Sequence, residues 1–423
     1  MNRMHPVWLR SAAVGLALSV AVPAIAQQES AGAPGEWLAR YTSARTLGLG
    51  GAFVATADDP LGILWNPAGL SSMNQNELRF ESARLFEETS INAFGFAVPG
   101  SRLPSMGITV LSLGSGDFQK TNELNDALGT FREGETAYLF TLSKALSPRF
   151  ALGANLKLAQ QTVEDFSGGG FGVDLGGNLA LTPTLRVGAS VMNLGGPAIS
   201  LRQSSETWPT LIRGGLALNV FGGRGLVAAE VDQSKGLGAR FHGGAEYWIQ
   251  GGVALRVGVD DTYGTGGFSY RFAPQYQLDY GVADHPLGMT HRLGIAYRFG
   301  GFFASSAAEP SVFSPTGERA VTKISLNART KASPQTWTLD IVNKSDEVVR
   351  RFGGQGQPPS HLEWDGKDEN GLPLADGTYR YHLVVIDAAG RAVAGPVRVV
   401  EISTSGPQGT VPLVPGQDGG GSR

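Results

Sequence analysis

An acidic turn near the C-terminus has residue types that could hold a calcium ion. It runs from Trp364 to Gly371 and is made largely of oxygen-bearing residues and glycines: Asp365, Gly366, Asp368, Asn370 and Gly371. If Asp365 were the first ligand of an EF-hand-type loop, the third position would need an oxygen ligand, and Lys367 stands there. We therefore interpret the segment as a tight solvated turn and predict no metal site.

A glycine-rich segment near the N-terminus could suggest a phosphate cradle. Gly48, Gly50 and Gly51 lie close together in it. A nucleotide-binding loop needs a lysine after its glycines and a strand before a helix, and this segment has neither. These glycines instead allow the backbone to pass close to a neighbouring wall or to take a positive φ. No nucleotide site is predicted.

Two acids and a tryptophan follow the glycines. Asp58 and Asp59 could form a gating or ligand-facing pair, but short polar side chains before a turn more often cap a helix, which is the interpretation we favour. We predict that Trp65 anchors packing, and a ligand-facing indole is the alternative. Pro67 and Gly69 predict a sharp turn, which the side chain before Pro67 could hydrogen-bond locally.

Catalytic patterns are missing from the sequence. It has no cysteine, which excludes thiolate catalysis and cysteine-ligated metals, and its six histidines are scattered. His242, His285 and His291 could meet inside a barrel or at its rim, although isolated polar residues are expected on any lumen face. We find no G-x-S-x-G or H-E-x-x-H spacing. We predict no enzyme and no cofactor, and the net charge of −3 gives no indication of nucleic-acid binding.

Much of the chain alternates apolar with small or polar residues. Val253, Leu255, Val257 and Val259 share one face of such a segment, which is the two-residue period of a strand. No segment after the N-terminal leader approaches the roughly 18 apolar residues of a spanning helix, so membrane insertion would have to use strands. We predict an all-β chain with a 14-stranded transmembrane outer-membrane β-barrel, its strands near 75–84, 88–98, 103–114, 133–145, 149–163, 170–181, 185–193, 208–220, 224–233, 239–248, 251–259, 265–272, 275–284 and 289–299.

Turn lengths predict which end of the barrel faces the periplasm. Short connections alternate with longer ones, of which 115–132 and 194–207 are the longest. Outer-membrane barrels pair short periplasmic turns with longer external loops. Both ends of the barrel segment would then be periplasmic, which would place everything after Phe299 in the periplasm.

The predicted chain has six segments. Arg3, Arg10, an apolar run and the sequence Ala24-Ile25-Ala26 have the layout of a cleaved secretory signal. The segments are a signal peptide (1–26), an N-terminal plug (27–74), the barrel (75–299), a linker (300–318), a small β-sandwich (319–403) and a disordered tail (404–423).

The last predicted barrel strand has a distinctive spacing. Arg292, Gly294, Tyr297 and Phe299 follow a polar, glycine, aromatic, aromatic order, which resembles the signal read by the barrel-assembly machinery. Interfacial aromatics at the end of any barrel strand are the alternative explanation.

The N-terminal segment resembles the FadL and PorV-like outer-membrane barrel families. The resemblance extends to Asp279-Tyr280-Gly281 and Thr290–Gly294, and its plug residues are Arg45, Gly48, Gly50, Gly51, Asp58, Asp59, Trp65, Asn66, Pro67, Ala68 and Gly69. It implies a 14-stranded barrel whose N-terminal segment plugs the lumen. It also implies one of two functions. The first is a docking or shuttle barrel that binds type IX secretion components or secreted cargo, or an envelope scaffold. The alternative is a transporter of hydrophobic, fatty-acid-like small molecules.

The C-terminal unit resembles the FlgD immunoglobulin-like domain. The resemblance rests on Trp364, Asp365, Gly366, Asp368, Asn370 and Gly371, followed by Gly377 and Tyr379 before an apolar strand. It implies a structural or docking module. The predicted environment is the outer membrane, with membrane lipid around the barrel and this module in the periplasm.

Overall fold

A closed antiparallel barrel forms the largest part of the protein. The computed structural model describes residues 34–35, 37–38, 43–86, 88–202, 204–249, 252–316 and 320–404. The predicted signal peptide and nearly all of the predicted tail lie outside these residues. The strands up to residue 299 are β1 (Asn76–Arg84), β2 (Ser90–Val98), β3 (Ser105–Gly114), β4 (Phe118–Thr121), β5 (Ala127–Phe131), β6 (Glu133–Ala145), β7 (Phe150–Val163), β8 (Phe166–Ala180), β9 (Leu185–Leu194), β10 (Ala198–Leu201), β11 (Ser204–Thr207), β12 (Leu211–Val220), β13 (Gly225–Ser234), β14 (Ala239–Ile249), β15 (Val253–Asp260), β16 (Tyr263–Ala273), β17 (Tyr276–His285) and β18 (Gly288–Phe299).

The barrel closes where its first strand meets its last. Going around the wall, the order is β1-β18-β17-β16-β15-β14-β13-β12-β9-β8-β7-β6-β3-β2, which makes 14 strands. The seam between β1 and β18 pairs Asn76 with Phe299 at one end and Arg84 with His291 at the other. Closure leaves no unpaired strand edge in the wall. The predicted 14-stranded barrel is confirmed.

The outer face of the wall is apolar. Val257 is 64% exposed and Phe94 is 44% exposed, and both point away from the lumen. At the end of the barrel with the shorter turns, Tyr276, Tyr297 and Phe299 stack on one another with ring centroids 4.9 and 5.2 Å apart. An exposed apolar band with an aromatic girdle is what a lipid-facing barrel surface requires. Among the described residues, no helix has the length and apolarity to cross a membrane.

The two longest loops form hairpins that are placed differently relative to the barrel. In the first, β4 pairs with β5 and projects from the barrel, with Leu124 82% exposed. In the second, β10 pairs with β11, and β10 packs against the inner face of β8. A Cβ added at Gly170 would lie 2.8 Å from the backbone nitrogen of Ala198. The loop at 194–207, predicted to be an external loop, therefore folds into the mouth of the barrel.

The described residues that precede β1 lie in the lumen, as predicted for a plug. They contain the helix α1 (Ala44–Gly48) and two 3-10 turns, Gly62–Leu64 and Pro67–Ser72. Their apolar side chains join those of the inner wall in a buried cluster that includes Leu61, Ile91 and Leu111. The lumen of this barrel is therefore a packed core.

The C-terminal unit is a two-sheet sandwich. Its strands are β19 (Phe303–Glu309), β20 (Val312–Phe313), β21 (Thr322–Arg329), β22 (Pro334–Val342), β23 (Val348–Gln355), β24 (His361–Trp364), β25 (Gly377–Asp387), β26 (Ala392–Ala394) and β27 (Arg398–Ile402). One sheet has the order β19-β21-β24, and the other has β20-β27-β25-β22-β23 with β26 beside β25. Trp364, Tyr381 and Leu383 are buried between them.

One predicted segment differs from the structure. Residues 300–318 were expected to be a linker, but Phe303–Glu309 is a strand that pairs with β21 along its whole length. Its alanines and serines are small enough to pack against the sandwich, where the backbone nitrogen of Ala308 donates to the Tyr381 hydroxyl at 2.7 Å. The connection that remains after β18 is the short Gly300–Phe302 segment.

Candidate functional site

Glycines let the plug backbone pass against the barrel wall. Gly50 has φ +65°, and a Cβ added there would lie 2.4 Å from the Val259 carbonyl oxygen and 2.5 Å from that of Gly243. A Cβ added at Gly48 would lie 3.1 Å from side-chain carbons of Arg256 and 3.4 Å from the Cα of Gly267, and one added at Gly51 would lie 2.9 Å from Nδ1 of His242. This is the close approach that the glycine-rich sequence predicted, and it leaves no space for a side chain at Gly50.

A buried arginine on β1 lies within 4 Å of four carboxylates. The side chain of Arg79 is inaccessible to solvent, and its guanidinium lies 2.9 Å from Glu77, 3.0 Å from Glu81 and 2.9 Å from Asp279. Asp59 of the plug lies 3.9 Å away. Glu81 also accepts a hydrogen bond from the backbone nitrogen of Ala44 at 2.5 Å. Wall and plug therefore share one charged network.

A second network links the plug helix to β14 and β15. Arg45 of α1 lies 2.5 Å from Asp58 and 3.3 Å from Glu246. Glu246 also receives Arg256 at 2.6 Å. Arg256 and Glu246 are withdrawn from water, so loss of either would leave a buried charge uncompensated, whereas Asp58 is 33% exposed and its pair with Arg45 depends less on burial.

The wall also bonds directly to the plug backbone. Glu230 of β13 accepts hydrogen bonds from the backbone nitrogens of Phe53 and Val54 at 2.8 and 2.7 Å. Arg213 of β12 donates to the Leu64 carbonyl at 2.7 Å. These contacts fix the position of the plug on the side opposite Arg79 and satisfy buried backbone groups of an irregular segment.

The other predicted plug residues are placed as follows. Asp59 accepts from the backbone nitrogens of Leu61 and Gly62 at 3.0 and 2.8 Å and so closes the bend that leads into the first 3-10 turn. Trp65 is buried, and its indole donates to the Gly51 carbonyl at 2.9 Å. Asn66 caps the second turn by accepting from the backbone nitrogen of Ala68 at 3.0 Å. A Cβ at Gly69 would lie 2.0 Å from the carbonyl oxygen of Ala57, and Pro67 is the first residue of its turn.

The three barrel histidines do not converge. His242 is buried in the lumen between Asp232 and Asp260, at 3.2 and 3.0 Å. His291 lies on the outer face and pairs with the Tyr280 hydroxyl at 2.7 Å. His285 packs at the rim against aromatic rings. Within the described ranges, no group of three or more histidine or acidic side chains has a metal-binding arrangement.

Two further sets of predicted residues have structural positions. In β18, Arg292 points inward, Gly294 leaves room for the side chain of Glu81, and Tyr297 and Phe299 belong to the outer aromatic girdle. In the sandwich, the Trp364 indole donates to the Lys367 carbonyl at 3.0 Å, and the Tyr379 hydroxyl donates to the Ala375 carbonyl at 2.7 Å.

The acidic turn is closed by its own side chains. Asp365 accepts from the backbone nitrogen of Lys367 at 3.2 Å. Asp368 accepts from the backbone nitrogens of Asn370 and Leu372 at 2.9 and 2.8 Å. Gly366, Gly371 and Gly377 have positive φ.

A polar cavity opens at the end of the barrel with the shorter turns. It has a volume of about 310 Å³ and is bounded by the plug at Asp58 and Asn74 and by the first residues of β1, β9 and β13. Its charged lining consists of Arg45, Arg186, Arg224, Arg271, Arg298, Asp58, Glu77 and Glu246. Of these residues, only Arg45 and Asp58 belong to the predicted plug motif. Most of the other charged residues lie in strands, at positions that alternate with lipid-facing apolar residues. That alternation was the sequence signal that could have placed them in the lumen.

The sandwich contacts the last residues of the plug, Ser71 and Asn74, beside this cavity. The Lys331 ammonium donates to the Ser71 carbonyl at 2.8 Å and lies 5.7 Å from the centre of the Phe302 ring. The backbone nitrogen of Phe302 donates to the Asn74 carbonyl at 2.6 Å. Barrel, plug and sandwich therefore meet at one place.

We expect this contact to tighten as the pH rises above 8. Burial lowers the pKa of Lys331 to about 8, Arg391 acts in the same direction and Asp387 opposes it. Because the pKa of the docked lysine lies below its ordinary value of about 10.4, the docked state bears the cost of a buried charge below pH 8. That cost falls between pH 8 and the ordinary pKa, where the docked amine is neutral.

Spin labels would measure this effect. The chain has no cysteine, so labels can be attached at Ser101→Cys on the barrel and Ser345→Cys on the sandwich without background. The distance distribution between them should be narrower at pH 9.5 than at pH 7. Lys331→Met should abolish the pH response, and an unchanged response in that variant would rule out Lys331 as its source.

Comparison with known proteins finds similarities for both parts of the chain. Residues 314–389 match the FlgD Ig-like domain. Solved structures similar to this chain include the CymD monoaromatic hydrocarbon channel, at 15% identity over 62% of this chain and 98% of that one, with a TM-score of 0.47. The Pseudomonas putida toluene transporter TodX has 13% identity over 61% and 98%, with a TM-score of 0.47. A Pseudomonas aeruginosa FadL homologue has 11% identity over 62% and 99%, with a TM-score of 0.45.

No curated protein matches the chain. The lipid-facing band, the closed wall and the lumenal segment define the first part of the molecule, and the matched residues define the second. The chain is thus a plugged 14-stranded β-barrel with a lipid-facing outer surface, followed by a domain similar to the FlgD Ig-like domain.

Proposed function

We propose that this protein is a docking barrel of the outer membrane, which anchors an Ig-like domain in the periplasm and binds a protein partner. The observation that carries the proposal is the plug. Buried ion pairs from Arg79 and Arg45 and backbone hydrogen bonds to Glu230 hold it to several sides of the wall. A lumen packed in this way favours a scaffold over an open channel.

Turn lengths support the orientation. The connections at residues 99–104, 146–149, 181–184 and 274–275 are short and lie at the end that carries the sandwich. In outer-membrane barrels the short turns are periplasmic. The FlgD Ig-like domain would then hang in the periplasm, close to envelope components.

The projecting hairpin is the surface that best fits a protein partner outside the cell. Leu124 and Leu128 are 82% and 58% exposed near its tip, and the rings of Phe118 and Phe131 are 5.5 Å apart at its base. Exposed apolar side chains mark an interaction site when they cluster, as they do on this hairpin. Type IX secretion components or their cargo are the partners implied by the resemblance of the N-terminal segment.

We expect the double variant Leu124→Ser and Leu128→Ser to lose a partner that the native protein retains. The partner would be identified by native mass spectrometry of protein purified from its own outer membrane in mild detergent. Leu103→Ser is the matched control, since Leu103 is 71% exposed at the other end of the barrel. A stoichiometric hydrophobic small molecule with no protein partner would contradict the docking role.

The orientation has its own test. A tag placed after Arg423 should resist protease added to intact cells and should be cut once the outer membrane is permeabilised. Cleavage in intact cells would contradict a periplasmic Ig-like domain.

Transport of hydrophobic small molecules is the second candidate. Its support is an apolar cluster that runs from the long-loop mouth to the plug and includes Trp37, Ile199 and Trp208. At the mouth, the Trp37 indole donates to Glu135. Two of the similar structures are described as a monoaromatic hydrocarbon channel and a toluene transporter. Transport would require the plug to move, and ligand binding can shift the plug only by its difference in affinity between the two arrangements.

A further inference from the structure

We propose that the cavity at the short-turn end binds the phosphate group of a small polar anion. The proposal does not depend on the docking role, because it rests on the chemistry of the cavity lining. The cavity volume of about 310 Å³ is at the lower end of the range for small-molecule sites.

The charge of the lining favours an anion. Five arginines face three carboxylates, a formal excess of two positive charges. A phosphate monoester carries about −1.5 to −2 at pH 7, so it would neutralise this excess more closely than a single carboxylate would. Arginine is also the side chain whose planar donors match phosphate oxygens in pairs.

One of these arginines has a donor that is not used. The Nε atom of Arg186 is buried and has no hydrogen-bond partner in the described part of the chain. Its neighbours differ: Arg298 donates to Glu77 at 2.8 Å and to Gln277 at 3.0 Å. A buried donor without a partner is costly. Arg186 lines the cavity, so a change of its side-chain rotamer on binding would turn this donor towards an oxyanion held there.

The rest of the lining restricts what can carry the phosphate. Met73, Leu226 and Trp248 are the apolar side chains, and the Trp248 ring is already covered by the Arg271 guanidinium at 3.9 Å. Amide groups such as those of Asn74, Asn219 and Gln277 fill much of the remaining lining. A polar body suits this surface and an acyl chain does not. The phosphate could still come from a soluble compound or from a lipid headgroup, and the experiment must distinguish them.

The test is calorimetric titration of the full-length protein in detergent micelles with inorganic phosphate, at constant ionic strength and pH 7.5. We expect saturable binding at one site, weakened at least about tenfold in Arg186→Gln, a loss of about 1.4 kcal/mol. Arg149→Gln is the matched control, because Arg149 is exposed at the same end of the barrel outside the cavity. Absence of saturable binding, or equal affinity in Arg186→Gln, would overturn the proposal.

A second variant keeps the test decisive if Arg186→Gln does not fold. Asp58→Asn removes a carboxylate from the lining and should strengthen phosphate binding, so unchanged or weaker binding would count against the site. Repeating the titration in phosphatidylcholine nanodiscs with and without phosphatidic acid identifies the source. Loss of phosphate binding when phosphatidic acid is present assigns the site to a lipid headgroup, and unchanged binding assigns it to a soluble phosphate.

Discussion

Arg79→Met should cost this barrel about 3–5 kcal/mol of unfolding free energy, the range measured when one partner of a buried ion pair is removed. Arg79 is the only cation within 4 Å of Glu81 among the described ion pairs, and it also lies beside Glu77, Asp279 and Asp59. Methionine would fill much of the volume but leave the carboxylates facing one another in a site with no solvent. Urea unfolding of the protein in lipid vesicles, followed by heat-modifiable gel mobility, would measure the loss.

An exposed arginine pair provides the control. Arg351 contacts both carboxylate oxygens of Asp340 at 2.6 and 2.7 Å, but its side chain is 55% exposed. Exposed pairs contribute about 0–1 kcal/mol, so Arg351→Met should change stability little. Adding Glu81→Gln and Asp279→Asn to Arg79→Met should restore part of the lost stability. If Arg79→Met cost no more than Arg351→Met, the charged cluster would not be holding the plug to the wall.

Gly50→Ala should displace the plug from the wall. The new methyl group would lie 2.4 Å from one carbonyl oxygen and 2.5 Å from another, both in the barrel backbone. Neither strand can yield without breaking wall hydrogen bonds, so the plug must shift instead. We expect increased ion conductance in planar bilayers and faster proteolysis of residues 43–73, while the wall remains closed by the seam between β1 and β18.

Gly222 separates this clash from backbone strain. It has the same φ of +65°, but a Cβ there would have no heavy atom within 4 Å. Both alanine variants bear the cost of a left-handed conformation, about 1–2 kcal/mol. Gly222→Ala should therefore be mildly destabilised without any rise in conductance. Equal behaviour of the two variants would show that the plug does not pack this closely against β14 and β15.

The barrel wall could be predicted from the sequence because the alternation of lipid-facing and lumen-facing residues is visible within each strand. Alternation such as that from Val253 to Val259 records which side of a strand meets lipid, and the turns separate one strand from the next. Phe303–Glu309 was missed because alanine and serine carry little alternating contrast. Its pairing partner, β21, lies about 20 residues further along the chain, and no local pattern reports it.

The lumenal networks were harder to predict. Glu77, Arg79 and Glu81 recur at every second residue of β1, which indicates a shared inward face, but their partners Asp59 and Asp279 come from the plug and from β17. The inward turn of the β10–β11 hairpin depends on glycines of β8 that leave space for it. Both features arise from contacts across the closed barrel, and a pattern within one segment carries no record of them.

The meeting point of barrel, plug and sandwich has a mechanical consequence. Lys331 bonds to the Ser71 carbonyl and Phe302 to that of Asn74, so the Ig-like domain grips the few residues through which the chain leaves the lumen for β1. A partner that pulled on this domain would therefore not first extend a flexible linker. The tension would be transmitted directly to the last residues of the plug and to the β1–β18 strand pair that closes the barrel.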